Sequence, residues 1–455
     1  MASTEFDYIE DQRERFLTDL KGWCSIPSVS ADSHFKNDVV RAAEWISKKL
    51  TGLGFQSEII ATAKHPVVVA ERKSSNAASK TLLIYGHYDV QPADPYDLWH
   101  SDPFTPSIKD GYIFARGVSD MKGPTLISIF AIEALLNTHG YLPVNIKFLI
   151  EGEEEIGSPS INDFLATHKD RLKSDISLNL DAGMADITKP GIVYGLRGLA
   201  SFELKLTGPD HDLHSGSFGG SVQNPAQALS KVLAGLHDEK GHVLIQDFYS
   251  SVRQITAEEH DVLSQTPLTS EKVKEFTGVK ETWGEPEFNV AERLGARPTL
   301  EINGMVSGYT GEGNKTIIPS WASTKISMRL VPDQDPHVIS ELFKKHLEKV
   351  VPPTVQWDLK VTGGSFPFIM DRDLEELTAF SDSIYKAWDI KPIFRREGGS
   401  IPIVNKFKAI LGLNSILSGF STPDNNAHGP NENLCIDSFF KGIKTVCLFL
   451  DAYSK

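Results

Sequence analysis

Five residues of this sequence carry imidazole or carboxylate groups that can bind divalent metal ions. They are His87, Asp120, Glu155, Asp181 and His428. Two imidazoles and three carboxylates suit zinc, or manganese as a harder substitute. If these side chains meet in the folded chain, they could hold a pair of such ions and activate a water molecule.

Three of the five residues directly follow short apolar runs that predict buried strands. The runs are 82–85, 146–150 and 176–180. They lead into His87, into the glutamates that end at Glu155, and into Asp181. In open α/β sheets, ligands bind beyond the carboxyl ends of the strands. We therefore expect these side chains to lie along one edge of a sheet.

Taken singly, each of these residues also has an ordinary structural explanation. A histidine after a strand is more often a structural residue than a ligand, and Asp120 could begin the helix that follows it. The glutamates could form a solvated acidic turn, and Asp181 and His428 could be turn and loop residues. The occurrence of all five together is what favours a shared site.

The combination resembles the co-catalytic zinc peptidase family that includes aminoacylase, succinyl-diaminopimelate desuccinylase and the cytosolic nonspecific dipeptidases of the carnosinase-like branch. The resemblance spans nearly the whole chain. Five segments carry it in order: GHYDV at 86–90, RGVSDMKG at 116–123, EEIGS at 154–158, Asp181, and 427–428. It implies a hydrolase that cuts an amide bond with two divalent metal ions per subunit, Zn²⁺ or Mn²⁺.

The resemblance also implies a role for each metal ligand. Asp120 would bridge both ions, His87 and Asp181 would complete one site, and Glu155 and His428 would complete the other. Two divalent ions against three carboxylates and one hydroxide would be electrically neutral. Ions about 3.5–4 Å apart can hold a water between them and lower its pKa towards 7, so that the hydroxide attacks the amide carbonyl.

Two further residues are predicted to support this centre. Asp89 lies two residues after His87, and side chains at positions i and i+2 of a strand end point the same way. Its carboxylate can therefore accept the second ring N–H of His87. By resemblance, Glu154 is the general base that takes the proton of the water and delivers it to the leaving amine. The spacing to Gly157 distinguishes it from Glu153.

The resemblance assigns other residues to the substrate. His214 would stabilise the tetrahedral oxyanion, and in dimeric members this histidine comes from the partner subunit. Arg329 would pair with the substrate carboxylate, because a guanidinium fork suits that group. Gly399 and Ser400 lie in a glycine-rich loop whose backbone N–H groups can approach a ligand, and Thr316 is a further candidate contact. The alternatives are a turn histidine and a surface arginine.

These residues predict a metal-dependent dipeptidase that acts on small peptides. An N-acyl amino-acid deacylase or desuccinylase is the alternative, because the family uses one metal site for both reactions. A catalytically dead binding scaffold is a third hypothesis, but such a protein should have lost ligands or the base. The sequence departs from the dipeptidase pattern at Met121, where a second aspartate is usual, and near Gly363, where a histidine is missing. Substrate preference therefore stays open.

Hydrophobic periodicity predicts the elements that would carry the site. Alternating helix and strand patterns over the first 200 residues predict an α/β domain with a mostly parallel, buried sheet flanked by helices. Apolar residues at steps of three and four from Val39 to Leu53 predict an amphipathic helix, and Pro124 opens another over 125–136. We assign the catalytic domain to residues 1–198 and 368–455.

Residues 199–367 are predicted to form an inserted α+β lid or dimerisation domain. Polar and apolar residues alternate at 201–207 and at 324–330, which predicts antiparallel strands with one solvated face. A helix pattern at 226–236 lies between them. By resemblance, a homodimer would form through this insert.

The charge and composition of the chain argue against nucleic acids and membranes as partners. A net charge of −14 argues against a nucleic-acid partner, because an acidic protein gains nothing from counterion release, and against an anionic membrane. The three cysteines form no CxxC pair, which argues against a disulfide framework or a thiolate zinc site. The first residues lack the apolar core of a signal peptide, and no run of 18 apolar residues occurs. We expect a cytoplasmic protein.

Overall fold

A mixed β-sheet forms the centre of the first of two compact units, in a computed structural model that describes residues 4–75, 79–399 and 401–455. The first unit comprises the described parts of Met1–Tyr194, Met370–Arg395 and Pro402–Lys455, and the second comprises those of Gly195–Ile369 and Arg396–Ile401. The predicted insert, 199–367, lies within the second unit. The segment 396–401 also clusters there, since Arg396 forms a buried ion pair with Glu259.

Both units contain β-strands. In chain order they are β1 (Gln56–Ile60), β2 (Val67–Arg72), β3 (Thr81–His87), β4 (Ser107–Lys109), β5 (Tyr112–Phe114), β6 (Asn145–Glu151), β7 (Ile176–Asn179), β8 (Gly191–Leu196), β9 (Gly198–Thr207), β10 (Leu213–His214), β11 (Thr299–Ser307), β12 (Ile317–Ile318), β13 (Trp321–Leu330), β14 (Gln356–Ser365), β15 (Phe368–Ile369), β16 (Ile393–Glu397), β17 (Ser415–Gly419) and β18 (Asn433–Cys435).

The α-helices follow the same order. They are α1 (Glu5–Asp11), α2 (Arg13–Cys24), α3 (Lys36–Gly52), α4 (Gly123–His139), α5 (Ile161–Thr167), α6 (Lys169–Leu172), α7 (Ser215–Phe218), α8 (Pro225–Ala234), α9 (Ala257–Ser264), α10 (Ser270–Thr277), α11 (Val290–Gly295), α12 (Pro336–Val350), α13 (Glu375–Trp388), α14 (Pro402–Lys406) and α15 (Ile436–Tyr453). Among the described residues, none of these helices combines the length and the apolar character that a membrane span requires.

The sheet of the first unit brings the predicted strand ends together. Its strand order is β1-β2-β6-β3-β7-β17-β8. The four central strands β6, β3, β7 and β17 are parallel, whereas the outer pairs are antiparallel. Strands β3 and β7 are buried along almost their whole length, as expected of parallel strands covered on both faces. The predicted α/β class is confirmed, and the parallel part is the centre of the sheet.

The helices predicted from periodicity lie in this unit. The pattern from Val39 to Leu53 forms α3, which packs against β1 and β2. The pattern over 125–136 forms α4, which begins at Gly123 and packs against β3. Helix α4 ends at Gly140, whose φ of 78° is the left-handed conformation that glycine adopts readily after a helix.

The second unit is an antiparallel sheet with helices on one face. Its strand order is β11-β13-β9-β14, and inward residues alternate with solvated ones along β9 and β13. Helices α8 and α12 cover the apolar face, where Phe202 of β9 contacts Phe343 of α12 edge to face. A separate two-stranded ladder, β10 with β12, carries His214. The predicted α+β insert is therefore confirmed as a fold.

Candidate metal centre

The carboxyl edge of the central strands positions four of the five predicted ligands. His87 is the last residue of β3, and Glu155 and Asp181 lie just beyond the ends of β6 and β7. His428 follows β17 in a loop, where its φ of 63° is a left-handed backbone conformation that is uncommon outside glycine. Asp120 lies in the turn Val118–Lys122, directly before α4, and its own backbone is extended rather than helical, with φ −126° and ψ 96°. All five side chains belong to the first unit.

These side chains form two groups that share Asp120. One group is His87, Asp120 and Asp181, and the other is Asp120, Glu155 and His428. Within each group the candidate ligand atoms all lie within 4.8 Å of one another. Each group thus offers one imidazole, one carboxylate of its own and one oxygen of the shared carboxylate.

The two oxygens of Asp120 face different histidines. Its Oδ1 lies 3.1 Å from Nε2 of His87, which is also 3.8 Å from Oδ1 of Asp181. Its Oδ2 lies 2.8 Å from Nε2 of His428, which is also 3.3 Å from Oε2 of Glu155. This is the arrangement that a carboxylate needs in order to bridge two ions.

The electrostatics of the centre favour bound positive charge. Burial alone would lower the pKa of His87, but hydrogen bonds to Asp120, Asp181 and Asp89 raise it well above its usual range. Hydrogen bonds to Asp120 and Glu155 raise the pKa of His428 to about 10. Both rings therefore hold a proton among carboxylate oxygens, and a divalent ion would take the place of that proton. The donor set, nitrogen and oxygen, fits zinc or manganese.

Two carboxylates near the centre are harder to ionise than usual. Burial raises the pKa of Asp181 to about 6, although His87 opposes the shift. Burial also raises the pKa of Glu154 to about 8, with Asp181 and Glu155 adding to the effect and His87 opposing it. Bound cations would favour the ionised forms, because positive charge nearby lowers a carboxyl pKa. The structure thus places a carboxyl of raised pKa beside the ligands.

Glu153 and Glu154 have different surroundings, which separates their roles. The carboxylate of Glu153 accepts hydrogen bonds from the backbone N–H of His65 and Ser160 and from the hydroxyls of Thr62 and Ser160, at 2.7–2.9 Å. The carboxylate of Glu154 has no hydrogen-bond partner among the described residues and is partly exposed. Of these two glutamates, Glu154 is the one whose carboxylate has no hydrogen-bond partner among the described residues.

Asp89 organises the loop behind the ligands. Nδ1 of His87 lies 3.0 Å from the backbone carbonyl of Asp89 and 3.5 Å from its Oδ1, so the carbonyl is the nearer acceptor. The carboxylate of Asp89 accepts the backbone N–H groups of Glu154, at 3.3 Å, and Glu155, at 3.0 Å. It thereby connects the end of β3 to the segment that carries Glu154 and Glu155.

Two polar residues in the same region were not identified from the sequence. Ser30 donates its hydroxyl to Oδ2 of Asp89 at 2.7 Å, and Gln91 donates its amide to Oε2 of Glu155 at 2.8 Å. Gln91 lies four residues after His87, which is a signal that the motif at 86–90 could have been extended. Ser30 lies far away in the chain, and no local pattern points to it.

The remaining predicted residues belong to the second unit. His214 is exposed, and its Nδ1 accepts the backbone N–H of Gly216 at 3.0 Å. In the neutral ring the proton therefore resides on Nε2, which leaves an N–H donor for a ligand. Thr316 is exposed beside it, and its carbonyl accepts the N–H of Ser215 at 3.0 Å.

Arg329 lies on β13 close to a second arginine. Arg197 is 7% exposed, and burial and the charge of Arg329 lower its pKa to about 10. Its Nε donates to the carbonyl of Gly398 at 3.2 Å, next to the exposed Gly399. This part of the second unit is therefore rich in positive charge. Ser400 lies outside the described residues.

Comparison with known proteins places the chain in a family. Residues 83–452 match the model described as peptidase family M20/M25/M40. The chain belongs to this family. It is 33% identical to the Cys-Gly metallodipeptidase dug1 of Schizosaccharomyces pombe, over 98% of this chain and 97% of that protein.

Two other relatives cover almost the whole chain. The Beta-Ala-His dipeptidase of Homo sapiens is 30% identical over 98% of this chain and 91% of that protein. The crystal structure of the M20 family metallo-carboxypeptidase Sso-CP2 from Sulfolobus solfataricus superposes with a TM-score of 0.83 at 36% identity, and covers 96% of this chain and 99% of that one. With the family assignment, these relatives identify the chain as a metal-dependent peptide hydrolase.

Proposed function

We propose that this protein hydrolyses dipeptides with two divalent metal ions, Zn²⁺ or Mn²⁺, bound by the five residues of the candidate centre. The observation that carries the proposal is the position of Asp120, whose two oxygens face two separate histidines. Relatives named as dipeptidases support the substrate class. The candidate metal centre and the dipeptidase relatives together favour hydrolysis over a scaffold role, because every proposed ligand and the proposed base are present.

Each residue of the centre has a defined task in this proposal. His87 and Asp181 would hold one ion, Glu155 and His428 would hold the other, and Asp120 would contribute to both. When bound, two such ions supply Lewis acidity and an activated water at neutral pH. Asp89 keeps the backbone of the Glu155 segment in place through its carboxylate.

Glu154 moves the proton. Its carboxylate lies beside the ligands without a competing hydrogen bond among the described residues, and two bound cations would lower its raised pKa and so favour the ionised form that can accept a proton. A base of this kind takes a proton from water efficiently, and the resulting acid can give it up again. We propose that Glu154 transfers this proton to the amine of the departing amino acid.

His214 is proposed to stabilise the oxygen of the reacting carbonyl. Its Nδ1 is engaged by Gly216, so the Nε2–H is the group that can donate. An N–H that donates to the developing oxyanion stabilises the transition state more than the ground state. The His214 ring is exposed on the second unit, so its N–H is accessible to a substrate bound by another subunit, as the family resemblance implies.

The His214→Ala variant should lose about 10²–10³-fold in kcat while keeping its metal content. Steady-state kinetics and elemental analysis of the same sample measure both quantities. His211→Ala, which removes an exposed histidine three residues away, is the matched control and should stay near wild type. Mixed with an inactive Glu154 variant, His214→Ala should regain some activity through hybrid dimers. No recovery after verified subunit exchange would contradict sharing between subunits.

Arg329 is proposed to bind the free carboxylate of the dipeptide. The positive charge of Arg197 beside it favours an anion at this place. Ser400, from the glycine-rich loop that also contains Gly399, is a further proposed contact, and so is Thr316. A substrate with a free carboxylate is common to dipeptides and N-acyl amino acids, so this group alone does not separate the two classes.

A substrate panel tests the proposed function directly. The wild-type protein should cleave an unblocked dipeptide far faster than the corresponding dipeptide amide, an N-acetyl or N-succinyl amino acid, or a longer peptide. Faster cleavage of the acyl amino acid would favour a deacylase, and faster trimming of the longer peptide would favour a carboxypeptidase like the Sulfolobus relative. Either outcome would replace the dipeptidase proposal.

The Arg329→Ala variant should lose roughly 10–100-fold in kcat/KM for the dipeptide, since a hydrogen bond to a charged group contributes about 1.5–3 kcal/mol. The same variant should change little towards the dipeptide amide, which lacks the carboxylate. Lys325→Ala, an exposed cation on the same strand, controls for general charge effects. Equal losses on both substrates would argue that Arg329 has a structural role.

A homodimer formed through the second unit is also part of the proposal. Among the residues that the structure describes, strand β11 pairs only with β13, which leaves its other edge without a partner strand there. Ile302, Met305 and Val306 on this strand are exposed. An exposed apolar edge strand favours association with another chain, and a symmetric pair of identical edges closes on itself. The proposed location remains the cytoplasm.

A further inference from the structure

A buried ion pair lies behind the bridging ligand. Nη1 of Arg116 is 2.8 Å from Oε2 of Glu432, and their side chains are 1% and 0% exposed. The two residues are 316 positions apart in the sequence. Burying two charges is costly unless further hydrogen bonds satisfy the remaining donors and acceptors, so their other contacts define what the pair does.

The carboxylate of Glu432 binds the backbone of the turn that carries the bridging ligand. Its Oε2 accepts the N–H of Gly117 at 2.8 Å, and its Oε1 accepts those of Ser119 at 2.8 Å and Asp120 at 3.0 Å. With Arg116, four donors point at one carboxylate. These partners all donate, which favours the ionised carboxylate over the acid, and hydrogen bonds to an ionised carboxylate are the strong, charge-assisted kind.

Arg116 extends the same network to the neighbouring loops. Its Nη2 donates to the carbonyls of Pro92 and Gly429, both at 3.1 Å. Gly429 directly follows the ligand His428, and Pro92 directly follows Gln91, whose side chain binds Glu155. The ion pair therefore connects the Asp120 turn with two loops, one that carries His428 and one that contacts Glu155 through Gln91.

We propose that Glu432 is a positioning residue that holds Asp120 in its bridging place before metal binds and thereby sets the affinity for the metal pair. The inference rests on the proposed di-metal function. The charges of Glu432 and Arg116 cancel, so the pair acts through geometry rather than by adding charge to the centre. Residues that orient metal ligands from behind typically change metal affinity about 10–100-fold when they are replaced.

The test is a titration of the chelated full-length protein with Mn²⁺ by isothermal calorimetry. Glu432→Gln should bind Mn²⁺ about 10–100-fold more weakly than wild type. Glu285→Gln is the matched control: Glu285 is 4% exposed and forms a forked ion pair with Arg297 in the second unit. It should lose thermal stability but keep wild-type affinity. Wild-type affinity in folded Glu432→Gln would overturn the proposal.

Two further measurements apply if Glu432→Gln does not fold. Arg116→Lys keeps a cation opposite Glu432 but loses the fork to Pro92 and Gly429, and it should also bind Mn²⁺ more weakly. In the wild type, hydrogen exchange of a peptide covering 116–122 should be slow already in the chelated protein. Fast exchange that slows only on adding Mn²⁺ would show that metal orders this turn, which contradicts the inference.

The outcomes also separate this inference from the proposed function. If wild-type protein binds no Mn²⁺ or Zn²⁺, the di-metal proposal fails and the role of Glu432 fails with it. If wild type binds metal and both variants bind equally well, only the role of Glu432 fails.

Discussion

The Glu154→Gln variant is expected to keep its metal content and to lose roughly 10²–10⁴-fold in kcat. Glutamine preserves the shape of the side chain but cannot take up a proton. Glu154 contributes no ligand atom to either metal group, so metal binding should persist. Elemental analysis and steady-state kinetics with a dipeptide on the same preparation measure the two effects together.

Glu153→Gln is the matched control for this experiment. The carboxylate of Glu153 accepts bonds from His65, Thr62 and Ser160, so the change should lower thermal stability. The kcat of the folded fraction should stay near that of wild type. A near-normal kcat for Glu154→Gln, or a loss confined to Glu153→Gln, would contradict the assignment of the base.

Removal of the metals is expected to abolish activity completely. Each histidine of the centre faces carboxylate oxygens, so these residues supply electron-pair donors for a metal and not a Lewis acid of their own. Adding back Zn²⁺ or Mn²⁺ should restore turnover, with full activity at two ions per chain. Activity measured against metal content by elemental analysis gives this stoichiometry.

Thermal stability supplies an independent readout of the same experiment. A ligand that binds only the folded chain stabilises it by about 2.7 kcal/mol at 100 times its Kd, so the chelated protein should melt earlier. Asp120→Asn, which weakens the shared ligand, should reproduce the loss of both ions without chelator. Activity that survives verified metal removal would refute the di-metal mechanism.

The strand-end motifs made much of the centre predictable. His87, Glu155 and Asp181 were expected at one edge because each follows an apolar run, and parallel neighbours β6, β3 and β7 place them there. The α/β class followed from the same runs, since period and length are local properties of the chain. The assignment of roles to the ligands came from the family resemblance rather than from spacing.

Other features were not accessible from local patterns. The antiparallel outer pairs of the sheet leave no mark that distinguishes them from parallel strands in a single sequence. The segment 396–401 belongs to the second unit because Arg396 pairs with Glu259, a contact between residues 137 positions apart. Gln91 and Ser30 contact Glu155 and Asp89 through side-chain hydrogen bonds, and such bonds impose no periodicity.

The sequence by itself determined the candidate donor set and the strands that precede three of its members, because residue type and hydrophobic period are properties of neighbouring positions. Only the tertiary structure decided how the surroundings of the two glutamates differ and which residue binds the backbone of the Asp120 turn. The spacing to Gly157 selects Glu154 from the sequence, and the hydrogen bonds that occupy the carboxylate of Glu153 support the same choice. The carboxylate of Glu432 accepts the backbone N–H of Asp120, although the two residues are 312 positions apart. Every residue type except proline has this N–H, so no local sequence pattern can predict the contact.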